Sequence, residues 1–555
     1  MNDEYIDILT GEFLKNAGIV GFVYMLQESE AVEGEDYLIV DNKLQVKKEY
    51  LKNMHLTDLY FKCMVDRYRD ETIVKKIMDE LEYILGQFSI DDIIGNEKVI
   101  QEKLAFISDK LSAASFKTGI ESIKDKIEDL QIYYDVTAKS FKKSKIDNLL
   151  YQQLLRLKSF LDNDIVFETL CFKNIIYNFI NKFWERSFLL RNNAKKNMKE
   201  CFQNDFVEPL LKYLDEDTTK MKDQCVECGN PINNKYAVSI SFMNDFADDL
   251  SRKKSSVYNY NVDMNLCPIC TFIYSLTPLG FLKYNRDFIF VNQNESIEDL
   301  CRVNDFNIDH TREEIKKDFE IGDKYQKIYQ IIENYALDKQ KLANHNIQII
   351  TRSVLDNDKV KYQFDILDSY LVSMIGNKTI SNNLEYFKKK NVVKINDTYI
   401  SVFREIIKRF LNKSNMYDLI QLLLKQSIDN SQMNYLAYYA SRVVDIQYIL
   451  KGGNSMGELY RARKDGNKLR GYLGENVDGA YRGTIYQLTN ALRVDNRVKF
   501  VDIVLRLYTS MSKPVPFCIS RILESENGLE IGYQFLTGLK GACDEIENKE
   551  ELNHE

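Results

Sequence analysis

Proline is scarce in this chain: six residues, at 209, 231, 268, 278, 514 and 516, leave the first two hundred positions and the stretch from 279 to 513 with none. Long uninterrupted helices are therefore allowed. Histidine is scarcer still. His55, His310, His345 and His554 are isolated from one another, which favours surface or packing roles over metal ligation. Long apolar runs are missing as well: Ala17–Leu26 is about half the length of a bilayer crossing and has no basic region before it, so we expect a cytoplasmic protein. Enzyme signatures are absent in the forms GxxxxGK[ST], HExxH, GxSxG and strand-GxGxxG. GGNSMGE, from Gly452, comes nearest to a phosphate loop, but Glu458 stands where lysine is needed. The carboxylate pairs Asp91/Asp92 and Asp248/Asp249 lack a neighbouring histidine or further spaced acids, so they read as helix starts or solvated faces rather than a two-metal centre. Base is in deficit too, with 75 Lys+Arg against 83 Asp+Glu and a net charge of −8, which excludes indiscriminate polyanion binding over the whole surface.

What remains is a globular composition: 45% hydrophobic and 28% charged residues, with 35 Tyr and 30 Phe over 555 positions, enough for about three to five structural units. Helical spacing is plain in Ile100, Leu104, Ile107 and Leu111, in Ile120, Ile123, Ile127 and Leu130, and in Ile146, Leu149, Leu150, Leu154 and Leu157. Shorter β signals lie in EDYLIVDNKLQV from Glu35, YAVSISF from Tyr236, DFIFVNQN from Asp287 and VVKINDTYISV from Val392. Glycines concentrate between Gly452 and Gly483, which predicts a joint or surface loop there. The fold class expected is α+β and predominantly helical.

Four of the ten cysteines form two C-x-x-C pairs, Cys225/Cys228 and Cys267/Cys270. Two such knuckles can meet around one ion, and four thiolates suit structural Zn2+. Gly229 stands where the first knuckle needs a tight turn. Four sulfurs close the shell, whereas a catalytic zinc keeps a position open for water. The pairs are joined by a segment in which Arg252, Lys253 and Lys254 precede Tyr258 and Tyr260. It reads equally as a phosphate- and base-contacting loop or as a solvated one.

From Lys451 to Arg506 the chain carries eleven Lys/Arg and six acids, against the sign of the whole. Arg461, Arg463, Lys464, Lys468, Arg470, Arg482, Arg493 and Arg497 are the candidate nucleic-acid contacts. A helix from Tyr481 would align Arg482, Tyr486, Thr489, Arg493 and Arg497 along one arc. The competing reading is a charged face meeting an acidic partner or solvent. A second stripe, Lys182, Arg186, Arg191, Lys195, Lys196 and Lys199, surrounds the only tryptophan, Trp184, and reads better as a solvated flank over a buried aromatic.

Several segments together resemble a known family: NAGIVGF from Asn16, CVECG from Cys225, KKSSVYNYN from Lys253, CPICTFIYSLTPLGF from Cys267 on to FIFVNQNESIEDL, and YQLTNALRVDNRVKFVDIVLRLYTSMSKPVPF from Tyr486 followed by IGYQFLTGL. They resemble the CXXC-CXXC large subunits of the type I-B CRISPR Cascade complex. The resemblance implies a large N-terminal recognition domain, 1–415, with an inserted four-cysteine zinc module at about 221–295, and a C-terminal helical bundle, 416–555, similar to the Cascade small subunit. It implies guide RNA, backbone subunits, target double-stranded DNA and a helicase-nuclease as partners. It also implies adjacent-motif probing, DNA opening, displaced-strand stabilisation and no catalysis, with small subunits made from an internal start at Met416 or Met433. The alternatives from the residues alone are a zinc-dependent enzyme acting on nucleic acid and a scaffold whose basic face meets an acidic protein.

Overall fold

The helix Phe13–Glu28 is buried along almost its whole length, and its neighbours explain how. Gly18 and Gly21 lie against the carbonyls of Ile273 and Leu276, and Gly280 lies against that of Ala17, so a Cβ at any of the three would strike backbone. Thr277 donates to the Leu14 carbonyl at 3.0 Å, and Phe22 meets Phe272 edge to face. The apolar run that is too short for a membrane is thus a core helix. Among the described residues no helix is long and apolar enough to cross a membrane.

A computed structural model of the chain describes residues 4–88, 97–184, 197–243, 264–284, 287–304, 329, 347–354, 360–367, 373–389, 392–395, 398–454, 456–474 and 477–542. The fold is α+β and predominantly helical. Contacts divide it into unit 1, Met1–Phe306 with Ile350–Gln363, and unit 2, Asn307–Ile349 with Phe364–Glu555. That division falls before the sequence boundary at 415/416.

In unit 1 the strands Tyr5–Leu9, Lys43–Lys47 and Tyr37–Val40 form an antiparallel sheet in that spatial order, with Val40 opposite Lys43 across the Asp41-Asn42 turn. Ile6, Ile8, Leu44 and Val46 face the core. Helices follow. Ile100, Leu104, Ile107 and Leu111 are buried on Glu97–Leu111 as their spacing predicts. The next stripe is broken, because a 3-10 turn at Lys124–Lys126 and extended Ile127 separate Ala114–Ile123 from Leu130–Thr137. Arg156 pairs with Asp129, just ahead of the second of these helices, through two nitrogens at 2.9 and 3.1 Å. Leu149 is 70% exposed: on the helix Asn148–Leu161 it lies a full helical step from Leu150 and off the face that Leu150, Leu154 and Leu157 bury.

The β signals hold at Asp287–Asn292, which pairs with Leu282–Tyr284, and at Val393–Ile395 with Thr398–Ile400. At Tyr236 only Val238–Ser239 is extended, since the Ser239 hydroxyl accepts from Ser241 N and turns the chain into a 3-10 segment.

Unit 2 corrects the glycine reading. Gly466 lies inside the helix Met456–Leu473, not in a loop, and there it meets the Phe535 carbonyl, while Gly538 of Gly528–Leu539 meets the Arg463 carbonyl. The two helices approach as closely as backbones allow. Gly452 and Gly474, both with positive φ, punctuate the helix ends. The helix Lys378–Lys389 lies on Tyr435–Leu450, where Arg442 donates to Asn383 at 2.8 Å with its guanidinium 4.0 Å from the Tyr386 ring centroid. Arg470 and the buried Lys540 both bind Asp478. Burial alone would raise the Asp478 carboxyl, but hydrogen bonds from Arg470 and Lys540 outweigh it and hold the group down at about 2.

This packing is open to test at two places. Gly280→Ala should cost at least ~2 kcal/mol through the backbone clash, whereas Gly86→Ala, with nothing within 4 Å of the new methyl, should gain about 0.5 kcal/mol; denaturant midpoints measure both. Asp478 has a folded-state value below its unfolded value of about 3.9, so its contribution is present above that value and is lost as pH falls toward 2. Asp478→Asn should therefore flatten the acid limb of unit 2 unfolding between about pH 4 and 2, as followed by circular dichroism.

Candidate metal centre

Cys225 and Cys228 sit on a knuckle whose backbone closes on itself. Cys225 N donates to Asn230 O at 2.8 Å, and Gly229 N donates to Cys225 O at 2.9 Å. Gly229 has φ +73°, the left-handed conformation its position demands. Short ladders frame the module, with Gln224 opposite Pro231 and Val238 opposite Leu266. The second pair is built differently. Cys267 caps the helix Pro268–Ser275, its sulfur 3.4 Å from Cys270 N and its carbonyl accepting from Thr271 N. Proline at the first helical position costs no hydrogen bond there and presets the turn.

The four sulfurs lie within 4.8 Å of one another, and Cys228 Sγ is 3.5 Å from Cys267 Sγ. Cys225, Cys267 and Cys270 are buried, while Cys228 is exposed. Hydrogen bonds from the Cys228, Cys267 and Cys270 thiols hold Cys225 far below the ordinary thiol range, and their counterparts push Cys270 far above it. Such a cluster cannot ionise fully by itself, because each further thiolate meets like charge at contact distance. A divalent cation removes that conflict, so the donor set fits a metal and fills all four positions that zinc takes in structural sites.

The module is fastened to the core of unit 1 through the helix that Cys267 begins. Trp184 is fully buried, as expected, and its indole nitrogen donates to Ser275 O at 2.9 Å. Tyr68 donates to Phe281 O at 2.8 Å. Asn16 joins in from the other side, its amide donating to Asn292 at 2.7 Å and accepting from Gly11 N at 2.8 Å. Lys15 lies 3.0 Å from Glu227, a residue between the two cysteines of the first knuckle. Sequence reasoning missed this pair. Its one signal is a lysine just ahead of the apolar run Ala17–Leu26.

The candidate nucleic-acid residues separate into groups. Arg252, Lys253, Lys254 and Tyr258 lie outside the described residues, as do Arg186, Arg191, Lys195, Lys196 and the pairs Asp91/Asp92 and Asp248/Asp249. Arg463 turns inward to Ser441 Oγ at 2.8 Å, and Arg470 binds Asp478 and the Leu539 carbonyl. Arg497 binds Asp495 and Ser525 O, at 2.8 and 2.9 Å. Lys468 pairs with Asp465 and Arg482 with Asp429, both near the surface. Arg461, Lys464 and Arg493 are exposed and make no ion pair with a described residue. The expected single arc is not formed: the helix ends at Arg493, Asp495 adopts φ +51°, and Arg497 opens the next helix. Thr489, placed on that arc, is buried.

Searches of curated proteins and of solved structures return no match. A family model described as CRISPR-associated protein (Cas_CXXC_CXXC) matches residues 218–282, which take in both knuckles and the helix Pro268–Ser275, so this segment is similar to the CRISPR-associated CXXC-CXXC family.

Proposed function

We propose that the chain is the large subunit of a type I-B CRISPR Cascade surveillance complex, cytoplasmic and without catalytic activity of its own. In this reading it holds structural Zn2+ and contacts the guide RNA and the backbone subunits. It probes the motif beside the target in double-stranded DNA, helps open the duplex, stabilises the displaced strand and recruits the helicase-nuclease. The observation that carries the reading is the match of residues 218–282 to the CXXC-CXXC family, over four clustered sulfurs that leave a bound zinc no open position for water. Division of labour supports it as well, since base pairing reads sequence in such complexes while protein reads a short motif and shape.

Of the two internal starts that the resemblance implies, Met416 fits this reading better. Helix Tyr417–Asp429 packs on Tyr435–Leu450 and on Arg482–Arg493, and a product beginning at Met433 would lack it.

The reading is tested by reconstitution with guide RNA, backbone subunits and target duplex. Co-assembly without hydrolysis by the isolated chain supports it, and metal-dependent turnover by the isolated chain would establish the zinc-enzyme alternative instead. Elemental analysis should find one zinc per chain, lost in Cys267→Ser together with the cooperative melting of unit 1. For DNA contact, the reversal Arg461→Glu/Lys464→Glu/Arg493→Glu touches cations that the fold does not use. It should leave melting unchanged and lower the slope of log affinity against log salt by about one per cation. An unchanged slope removes these residues from the interface.

A further inference from the structure

The four corners of the sulfur cluster are not equivalent. Cys225, Cys267 and Cys270 are between 0 and 3% exposed, whereas Cys228 faces solvent beside Val226, itself 46% exposed. Glu227, between them, points the other way into the protein: its carboxylate lies 3.0 Å from Lys15 Nζ and 3.1 Å from the Tyr274 hydroxyl. The Lys15 side chain is 4% exposed, and Tyr274 is fully buried on the helix that carries Cys270. Glu12 caps the Lys15 helix by accepting from Leu14 N and Lys15 N and also hydrogen-bonds Tyr274, so helix start, knuckle and second cysteine helix meet at one point. Position 11 is a glycine whose Cβ would stand 2.7 Å from the Glu227 carboxylate. The approach has been left open for it.

A buried ion pair is seldom a net source of stability, because desolvation offsets the attraction. Its distinctive effect is to fix position. Here it fixes the residue next to the one cysteine of the four that is exposed.

We propose that the Lys15–Glu227 pair is a latch on the first knuckle, holding Cys228 against the bound ion, and that the ion enters and leaves through the Cys228 corner. Lys15 is then a positioning residue for the metal site, acting through Glu227. The proposal rests on the four sulfurs binding zinc. Hydrogen bonds behind metal ligands typically carry tenfold to hundredfold effects on retention, and the latch should act at the lower end of that range.

The experiment uses the zinc-loaded full chain and the chelating dye 4-(2-pyridylazo)resorcinol, well below the melting temperature. Lys15→Met and Glu227→Gln should each release zinc about tenfold faster than the parent. The double variant should be no faster than either single one, since both remove one interaction. Iodoacetamide should alkylate Cys228 before the other three cysteines of the cluster in the parent, and sooner in Lys15→Met. Leu81→Ala, on the buried face of the helix Ile73–Gln87 and away from the cysteine helix, should lower the melting temperature without hastening release. If Lys15→Met fails to fold, Gly11→Ala, whose methyl would crowd the Glu227 carboxylate and the Lys15 side chain where they meet, gives the same readout. Unchanged release in the single variants, additive effects in the double, or first alkylation at a buried cysteine would overturn the latch. A parent chain without zinc would overturn the metal site itself.

Discussion

Cys267 and Cys270 belong to the helix on which much of unit 1 is packed, so metal ligation and core formation fall on one segment. The helix Pro268–Ser275 is buried throughout, with Phe13–Glu28 on one side of it and the Trp184 indole on a carbonyl at its end. Three glycines set the spacing of this junction, because Gly18, Gly21 and Gly280 each let backbone meet backbone. An ion bound at its N-terminus therefore does more than close a loop. It fixes the start of a helix whose sides are already committed, and the free energy of binding becomes folding free energy of the surrounding core.

Charge is handled in the same economical way. An acidic chain with a basic stretch invites the reading that every cation there faces a polyanion, yet Arg463, Arg470 and Arg497 satisfy hydroxyl, carboxylate and carbonyl groups inside unit 2. Guanidinium groups suit this role, since five fixed donors can satisfy several acceptors at a helix end. Glu530, wholly buried, shows the converse: it takes Lys451 from outside and the Tyr417 hydroxyl from within. A count of cations along a segment thus overstates the field that segment projects. What projects from the described part is the smaller set of exposed residues, Arg461, Lys464 and Arg493 among them.

Local order made part of this legible in the sequence. The Ile100 to Leu111 stripe, the β signal in the segment from Glu35, the two cysteine pairs and the left-handed Gly229 each follow from residues within a few positions of one another. What the sequence concealed depends on partners brought from afar. Gly466 reads as a joint or loop residue until its helix is seen in contact with the one that carries Gly538. Leu149 fits a helical stripe, and only its exposure in the packed fold shows that it lies outside the buried face. The Lys15–Glu227 contact has no signature at either end beyond one misplaced charge, because its cause is a fold that brings an N-terminal helix against a metal knuckle.

The two boundaries in the C-terminal half, one from contacts and one at Met416, describe different things. Helices from Tyr417 onward make a bundle with its own buried centre, Leu423, Val443, Leu488 and Phe535 among its members. Yet Tyr435–Leu450 has a further face on which Lys378–Lys389 rests: Phe387 meets Tyr439 edge to face, and Arg442 is held between Tyr386 and Tyr438 with Asn383 accepting from it. A chain beginning at Met416 keeps the centre and loses that cover, leaving Tyr439 and the Arg442 guanidinium to water. The guanidinium tolerates water well; the aromatic face does not. The helices from Tyr417 on thus share a buried centre, and the helix Lys378–Lys389, which belongs to the same unit by contacts, covers a further face of it.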